Sequence, residues 1–518
     1  MRATLPLALL VTLGACGWGS LPEHGYTPMD RPLWDPALVV PTADGLYVPL
    51  PYSGKLALVR ADGSFAEVAT GPGRVTRLAT SPNTDNVVAF VERYRCEPGN
   101  GKAKPRYVSD CAWEDRSSFT EVAVLDGAAV ATGITLPNTY NALAFSDDGR
   151  FAVAWLDFDD PDLQVEGVVS LTSVVVLDLE QGVATPVSVG FAADRALFVH
   201  GDDGRAAQAV VLSRNSVALL DLTAEIPQKT VTFPLTLDPD SAVVPVGVEL
   251  TPDGRYALIP VQGHSDLYLL DLVQRSINIV ELAGRPSAMA VHHDLDRTVL
   301  VYGDAPQVEV LDHEHFDLTT LPLDEPMEHV ARGADLAVLY GTSDQHDVYR
   351  LDVGTTQLVE YRLENPAVSV HVAPTEDFAI ALTRPEDGFG GGSLYDSSPG
   401  MEILDLDDDD TQPFLLEGQG LGVAWAQTDA SLVALVLQQD VDYLYQLDLY
   451  TGRASQLDLA QPPRTIGSLG DGTFYVTHDN QLGLVSFLDP VTFDRVVVEG
   501  FAAIGLLDDI ELVPASEE

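Results

Sequence analysis

Basic residues are scarce in this 518-residue chain, in which 28 lysines and arginines stand against 78 aspartates and glutamates. Only four of the bases are lysines: Lys55, Lys102, Lys104 and Lys229. The formal net charge is −50 at pH 7. So few cations cannot neutralise a phosphate backbone, and the composition argues against nucleic acid as a partner. It also disfavours binding driven by attraction to an anionic lipid surface.

The chain also lacks a membrane-spanning segment at its start. The apolar run from Leu5 to Leu13 follows Arg2 and is far shorter than the roughly 20 residues that cross a bilayer. A positive charge, a short apolar run and small residues are the parts of a secretory signal. The run ends in the motif Leu13-Gly14-Ala15-Cys16.

This motif resembles the lipobox of bacterial lipoproteins. The resemblance implies a signal peptide over residues 1–15, lipidation of Cys16, and a tether over residues 16–36. Gly17 is not the aspartate that favours retention in the inner membrane. The implied location is therefore the cell envelope, as an outer-membrane lipoprotein facing the periplasm or the cell surface. The alternative is an ordinary signal peptide with a chance cysteine.

Cysteine is nearly absent, with three residues in all. If Cys16 carries lipid, Cys96 and Cys111 remain as a pair in an oxidising compartment, and we predict that they form a disulfide. The segment between them is rich in proline and glycine and has little apolar content to hold it. Two free thiols are the alternative.

The body of the chain repeats itself. Each unit has two apolar strands around an Asp/Gly-rich turn, as in Val248 to Leu258, and then a strand that ends in Leu-Asp or a near variant. The nine clearest acids of this second phrase are Asp126, Asp178, Asp221, Asp271, Asp312, Asp352, Asp405, Asp448 and Asp489. Units of about 40 to 50 residues with four strands each are typical of propeller blades.

The predicted fold is therefore an all-β propeller over residues 37–510, followed by an acidic tail at 511–518. Ten units are counted if a degenerate first one at 37–70 is included. We favour a single ring over two joined rings, and an array of two-sheet sandwiches is the runner-up. The first unit lacks a clear opening strand, so we expect Phe501 to Leu507 to supply it and close the ring.

The stretch Thr251-Pro252-Asp253-Gly254-Arg255-Tyr256-Ala257 resembles the repeat of YVTN-type, lactonase-like propellers. It is also similar to the WD-like repeats in the periplasmic propeller of the Tol system. The sequence departs from true WD40 repeats, since no Gly-His and Trp-Asp pair marks each unit. The resemblance implies a fold and carries no activity with it.

Two acidic patterns invite a chemical interpretation. An acid at one place in every unit is typical of a turn, because aspartate accepts backbone hydrogen bonds just past a strand. The run Asp405 to Asp410 could hold calcium, but an EF-hand needs glycine where Asp410 stands and glutamate where Leu416 stands. A solvated turn is the favoured interpretation, and looser calcium binding is the alternative.

Histidines cluster in the second half, and His313 and His315 have a spacing that can present two imidazoles on one side of a strand. Aligned by eye, His329 and His371 occupy the place of Glu249 near the end of the first strand of a unit. These three residues are the candidate metal ligands at a channel mouth. No nucleophile or phosphate-binding motif is complete, so no catalytic residue and no cofactor is predicted.

Two long excursions, Arg93 to Ser118 and Pro385 to Gly400, interrupt the link between the second and third strands of their units. They carry the aromatic residues Tyr94, Tyr107, Trp113, Phe389 and Tyr395. Loops on a rigid scaffold are common binding sites. The leading hypothesis is a non-enzymatic, lipid-anchored scaffold that binds an envelope or surface protein. The alternative is a metal-dependent, lactonase-like hydrolase, so the question of enzymatic activity stays open.

Overall fold

A computed structural model describes residues 33–50, 53–81, 87–97, 105–158, 160, 169–201, 203–236, 245, 247–385, 397–427, 431–505 and 510–513. These residues form ten four-stranded antiparallel sheets, each with its strands paired in chain order. The sheets are arranged as the blades of one ring, so the prediction of an all-β propeller in a single ring is confirmed. Among the described residues no helix is long and apolar enough to cross a membrane.

The strands of blades 1 to 5 are β1–β4 (Val40–Thr42, Gly45–Leu50, Lys55–Val59, Phe65–Val68), β5–β8 (Arg74–Thr80, Val87–Cys96, Arg116–Asp126, Ala129–Thr135), β9–β12 (Ala142–Phe145, Phe151–Trp155, Ser173–Asp178, Val183–Ser188), β13–β16 (Ala193–His200, Ala206–Ser213, Ser216–Asp221, Gln228–Pro234) and β17–β20 (Glu249–Leu250, Tyr256–Pro260, Asp266–Asp271, Ser276–Glu281).

The strands of blades 6 to 10 are β21–β24 (Pro286–His292, Arg297–Tyr302, Gln307–Asp312, Leu318–Pro322), β25–β28 (His329–Arg332, Leu336–Tyr340, Asp347–Asp352, Gln357–Arg362), β29–β32 (Ala367–Val372, Phe378–Thr383, Gly400–Asp405, Asp410–Leu415), β33–β36 (Gly420–Gln427, Leu432–Gln438, Tyr443–Asp448, Arg453–Asp458) and β37–β40 (Pro463–Ser468, Phe474–His478, Leu484–Leu488, Arg495–Glu499).

The core lies between blades, and β11 shows why the strands are apolar on both sides. Val174 and Val176 face blade 4, whereas Val175 and Leu177 face blade 2. Successive side chains of a strand point to opposite sides of the sheet, so a blade packed between two neighbours needs an unbroken apolar run. Each of ten hydrophobic clusters joins two adjacent blades in this way.

The ring closes by side-chain packing. The prediction that Phe501 to Leu507 supply the first strand of blade 1 is wrong. Val40–Thr42 supplies the first strand of blade 1, and Phe501–Gly505 forms a 3-10 helix instead of a strand. The backbone of Gly500 is left-handed, with φ at 81°, and turns the chain away from β40. Phe501 is then buried between the last and first blades, where its ring lies 5.0 Å from that of Trp34. Leu506 and Leu507 lie outside the described residues.

Candidate functional site

The two faces of the ring carry different connections, because successive strands of a blade run in opposite directions. One face holds the turns from first to second and from third to fourth strands, and we call it the hairpin face. The other holds the second-to-third links and the links between blades, and we call it the connection face. Both excursions join second to third strands and therefore belong to the connection face.

On the hairpin face, the Leu-Asp acids cap turns, as the sequence predicted. A carboxylate oxygen of each accepts a backbone N–H two or three residues further on in eight blades: Asp178, Asp221, Asp271, Asp312, Asp352, Asp405, Asp448 and Asp489. Hydrogen bonds from the Thr492 and Val491 amides lower the pKa of Asp489. The eight carboxylates therefore act as the acceptors that close these turns.

Arginines tie the two turns of a blade together. Arg255 follows the Asp-Gly turn of blade 5 and places Nη2 2.9 Å from Asp271 Oδ2. Arg150 stands at the same place in blade 3, with Nη2 3.3 Å from Asp178 Oδ2. The two recurring phrases of the sequence thus meet on one surface.

The acidic run Asp405 to Asp410 forms the turn between β31 and β32. The Asp407 and Asp408 amides donate to Asp405 Oδ1, and Asp409 Oδ1 accepts the Tyr361 hydroxyl at 3.1 Å. These contacts agree with a solvated turn. Calcium binding there stays a prediction.

The three predicted metal ligands lie on the first strands of blades 5, 7 and 8. Glu249 and His371 have the same register, since each pairs with the third residue of the second strand of its blade. In blade 7 that register belongs to Ala331, and His329 lies two residues nearer the start of β25. The alignment by eye of His329 was therefore wrong by two residues.

The two histidines of this trio have separate surroundings. The ring of His329 stacks on that of Tyr340 at 5.2 Å, and His371 Nε2 lies 3.1 Å from Ser369 Oγ. Burial lowers the pKa of His371. Within the described residues, no group of three or more His, Cys, Asp or Glu side chains could hold a metal ion. The metal site, and the hydrolase that would need it, stay sequence predictions.

His313 and His315 do not share one side of a strand, because β23 ends at Asp312 and both lie in the following turn. His313 is buried, with Nε2 2.7 Å from Thr298 Oγ1. The side chain of His315 is 66% exposed. Their spacing therefore reflects a turn that sends one imidazole inward and the other to solvent.

Buried acids that the sequence analysis missed hold the links between blades. Glu309 Oε2 accepts the Ala283 amide at 3.2 Å, and Glu402 Oε1 accepts the Glu364 amide at 2.6 Å. Each acid lies mid-strand on the third strand of the blade that the link enters. A glutamate inside an otherwise apolar third strand is the signal that could have found them.

The pKa of Glu402 is strongly raised. Its side chain is almost wholly buried, and burial raises its pKa to about 7. Among the described residues, its Oε2 atom is buried and has no hydrogen-bond partner. Protonation near neutral pH therefore removes a charge from a poorly solvated place.

The start of the first strand carries a β-bulge in six blades. The bulged residues are all exposed: Thr76, Asp194, Ser287, Val368, Leu421 and Arg464. A bulge re-aims a side chain that regular pairing would direct into a blade interface. Because first strands begin on the connection face, these residues form a varied rim around its centre.

The excursion of blade 2 is a braced structure. Cys96 and Cys111 form the predicted disulfide, with their Cα atoms 6.0 Å apart. Arg116 Nη2 donates to the carbonyl oxygens of Val108 at 2.8 Å and Cys111 at 3.0 Å. A covalent bond and a guanidinium thus hold a segment with few apolar residues.

The C-terminal segment is a second brace. The Val108 amide donates to Ile510 O, the Leu512 amide to Arg106 O and the Val513 amide to Tyr94 O, each at 2.9 Å. The side chains of Ile510 and Leu512 pack in one apolar cluster with Cys111. The predicted acidic tail therefore begins within a strap that is paired with the excursion, and residues 514–518 lie outside the described part.

The braced excursion presents one aromatic side chain to solvent. Trp113 is 79% exposed, whereas Tyr94 is 4% exposed and belongs to the cluster beneath the strap. Tyr94, one of the aromatic residues that made the excursion a candidate binding site, is therefore not available to a partner. The guanidinium of Arg95 lies 4.4 Å from the centre of the Phe119 ring. Phe389, Tyr395 and most of the second excursion fall outside the described residues.

Comparison with known proteins adds little. No protein-family model matches the sequence, and no curated protein matches it. Solved structures that match in part include a dihydro-heme d1 dehydrogenase NirN (12% identity, 74% of each chain, TM-score 0.42) and a eukaryotic initiation factor (11% identity, 73% of this chain and 87% of that one, TM-score 0.45). Apo AztD from Citrobacter koseri matches at 13% identity, over 66% of this chain and 94% of that one, with a TM-score of 0.37. At these values none of them carries an activity to this chain, and the fold rests on its own strand order.

Proposed function

We propose that this protein is a lipid-anchored propeller of the cell envelope that binds a partner protein through the excursion of blade 2. The exposure of Trp113 on a doubly braced segment supports this proposal. Tryptophan and arginine dominate the energetics of protein interfaces. A rigid support lowers the entropy that binding would otherwise cost.

The point where the N-terminal segment joins the body fits an anchor. Trp34 Nε1 donates to the carbonyl oxygen of Asn480, which lies in a second-to-third link of blade 10. The chain therefore reaches the body on the connection face. The residues between Cys16 and Trp34 could span at most about 60 Å when extended. A lipid on Cys16 would thus hold the body within about 60 Å of the membrane and attach it through the face that carries Trp113.

The test is in-cell photo-crosslinking with a photoreactive amino acid at position 113. The same amino acid at Val273, which is 74% exposed on the hairpin face, is the matched control. We expect one reproducible adduct from position 113, none from position 273, and loss of the adduct in a Cys16→Ser chain. Equal labelling from both positions would contradict the interface, and unchanged fractionation of the Cys16→Ser chain would contradict the anchor separately.

A further inference from the structure

A cleft of about 120 Å³ opens between blades 8 and 9 on the hairpin side of the ring. Its apolar wall includes Phe378, Phe414 and Leu447, and Gly452 borders it. Since a single water needs roughly 10–15 Å³ measured in this way, the cleft has room for a group of several heavy atoms. It lies on the face opposite Trp113.

The repeats show why this cleft is open. Phe378 pairs with Asp405 as Tyr256 pairs with Asp271, so Phe378 and Tyr256 are equivalent. In blade 6, Phe316 stands four residues after the Leu-Asp acid, and its ring meets that of Tyr256 edge-on at 4.7 Å. In blade 9, Gly452 stands at that place. Tyr450 of blade 9 lies beside Phe378, with ring centres 6.2 Å apart, but it is not part of the cleft wall, so the place of the Phe316 ring stays unfilled.

At the interface of blades 6 and 7, the equivalent space is filled by a cation. Arg297 pairs with Asp312 and is therefore the equivalent of Phe378 in blade 6. Its Nη1 atom donates to the carbonyl oxygens of Val353 at 2.5 Å and Gly354 at 2.6 Å, in the turn of the next blade. The fold thus occupies this kind of cleft with a flat group, either an aromatic ring or a guanidinium.

The charge of the open cleft favours the guanidinium. Asp405, Asp410 and Asp448 line it, against the single cation Arg453. In blades 3 and 5, an arginine just before Phe151 or Tyr256 pairs with the Leu-Asp acid. The residue just before Phe378 is Asp377. Blade 8 therefore carries a carboxylate where those blades carry their own guanidinium.

We propose that the cleft between blades 8 and 9 binds a guanidinium group, with the planar cation against Phe378 and Phe414 and its N–H groups directed to the three aspartates. Arginine stacks on aromatic faces and bonds carboxylates in this way. This site is independent of the function proposed above, since it lies on the other face and needs neither Trp113 nor the anchor.

The experiment measures binding of N-acetyl-arginine amide to the full chain by calorimetry, with N-acetyl-citrulline amide as the uncharged probe of the same shape. We expect arginine amide to bind at least about tenfold more tightly, because the citrulline analogue lacks the charge. Equal affinity for the two probes, or binding of neither, would overturn the proposal.

Gly452→Phe gives blade 9 the phenylalanine that blade 6 has at the equivalent place, Phe316, and should abolish binding of arginine amide. The backbone suits the change, since Phe316 and Phe493 adopt φ of 58° in the equivalent turns and an added Cβ at Gly452 meets no atom within 4 Å. Gly127→Phe, at another open turn with positive φ, is the matched control and should bind as the unmodified chain does. Unchanged binding by a folded Gly452→Phe protein would rule out this cleft.

Asp410→Asn and a second probe sharpen the assignment. Removing one carboxylate without changing the shape of the side chain should weaken the binding of arginine amide several-fold. An unchanged affinity would rule out the proposed role of the aspartates.

A glycine-flanked arginine peptide that binds tighter than the amide would indicate an arginine of a partner protein as the natural ligand. Tighter binding of agmatine would indicate a small free cation.

Discussion

The hairpin face and the connection face of this ring are built on different principles. On the hairpin face, eight blades reuse one turn, in which an aspartate carboxylate accepts backbone N–H groups. On the connection face, a disulfide, a C-terminal strap and buried glutamates each occur in particular blades only. Repetition thus identifies what every blade needs to fold, and departures from it identify the places that can be particular to this protein.

The excursion of blade 2 differs in charge from the rest of the chain. The excursion from Arg93 to Ser118 contains six bases and four acids, in a chain of net charge −50. The rest of the molecule therefore carries a still larger negative charge. A partner with a basic surface would therefore be drawn to the rest of the molecule more than to this excursion.

The largest expected effect is on ring closure. Phe501→Ala should lower the free energy of unfolding by about 3–5 kcal/mol, because a wholly buried ring between the first and last blades is replaced by a cavity. Phe65→Ala, at a ring that is 41% exposed, should cost less than about 0.5 kcal/mol. Urea unfolding checks both, and similar costs for the two variants would mean that the ring does not depend on this closure.

The disulfide tests the brace on the connection face. The Cys96→Ser/Cys111→Ser double variant should lose about 3 kcal/mol, as the loop-entropy model gives for 15 residues. Hydrogen exchange should accelerate at the amides of Leu512 and Val513, which pair with the excursion. Hairpin-face amides such as Gln274 and Thr492 serve as the internal control. If the amides of the C-terminal strap stay protected from hydrogen exchange in the double variant, the pairing of the strap with the excursion does not depend on the disulfide.

Glu402 makes the connection face sensitive to rising pH. Its pKa is raised to about 7, so its stabilising contribution is complete below about pH 4.5 and is lost as the pH rises through 7. Glu402→Gln should therefore match the unmodified chain at pH 5 and exceed it by about 2–3 kcal/mol at pH 9. Urea unfolding at the two pH values measures this difference, and a pH-independent difference would contradict the raised pKa.

On the hairpin face, a fall in pH rather than a rise should lower the free energy of unfolding. The effect of each aspartate should be smaller than that of Glu402. The pKa values of Asp312 and Asp489 are lowered by backbone hydrogen bonds, so the stability they provide is present above about pH 4 and is lost as the pH falls through the lowered values. Asp312→Ala should cost about 1 kcal/mol at pH 7 and less at pH 2, because a protonated carboxyl is a weaker acceptor than a carboxylate. Asp312→Asn, which keeps an acceptor, should cost less. Equal loss at both pH values would mean that ionisation does not matter to the turn.

Sequence patterns predicted the repeated part of the molecule; of the features that occur once, they predicted the disulfide and missed the C-terminal strap. Asp271 and its equivalents were recognisable as turn residues because the same spacing recurs with the same neighbours. His329 was misaligned because blade 7 has few distinctive residues in its first strand, so only strand pairing shows that Ala331 holds the expected register. The disulfide could be predicted from the cysteine count together with the export that the lipobox resemblance implies, whereas the burial of Tyr94 depended on a strap more than 400 residues away.

The sequence by itself determined the all-β class, the four-strand unit, the turn aspartates and the near-continuous apolar strands, because these follow from local periodicity and recur from blade to blade. Tertiary structure alone decided how the ring closes, which aromatic side chain of the excursion faces solvent, and which cleft between blades stays open. Those outcomes depend on contacts between residues far apart in the chain. Phe501 is buried against Trp34. Tyr94 is buried in a cluster with Ile510 and Leu512. The cleft beside Gly452 is bounded on its other side by Phe378 of the preceding blade.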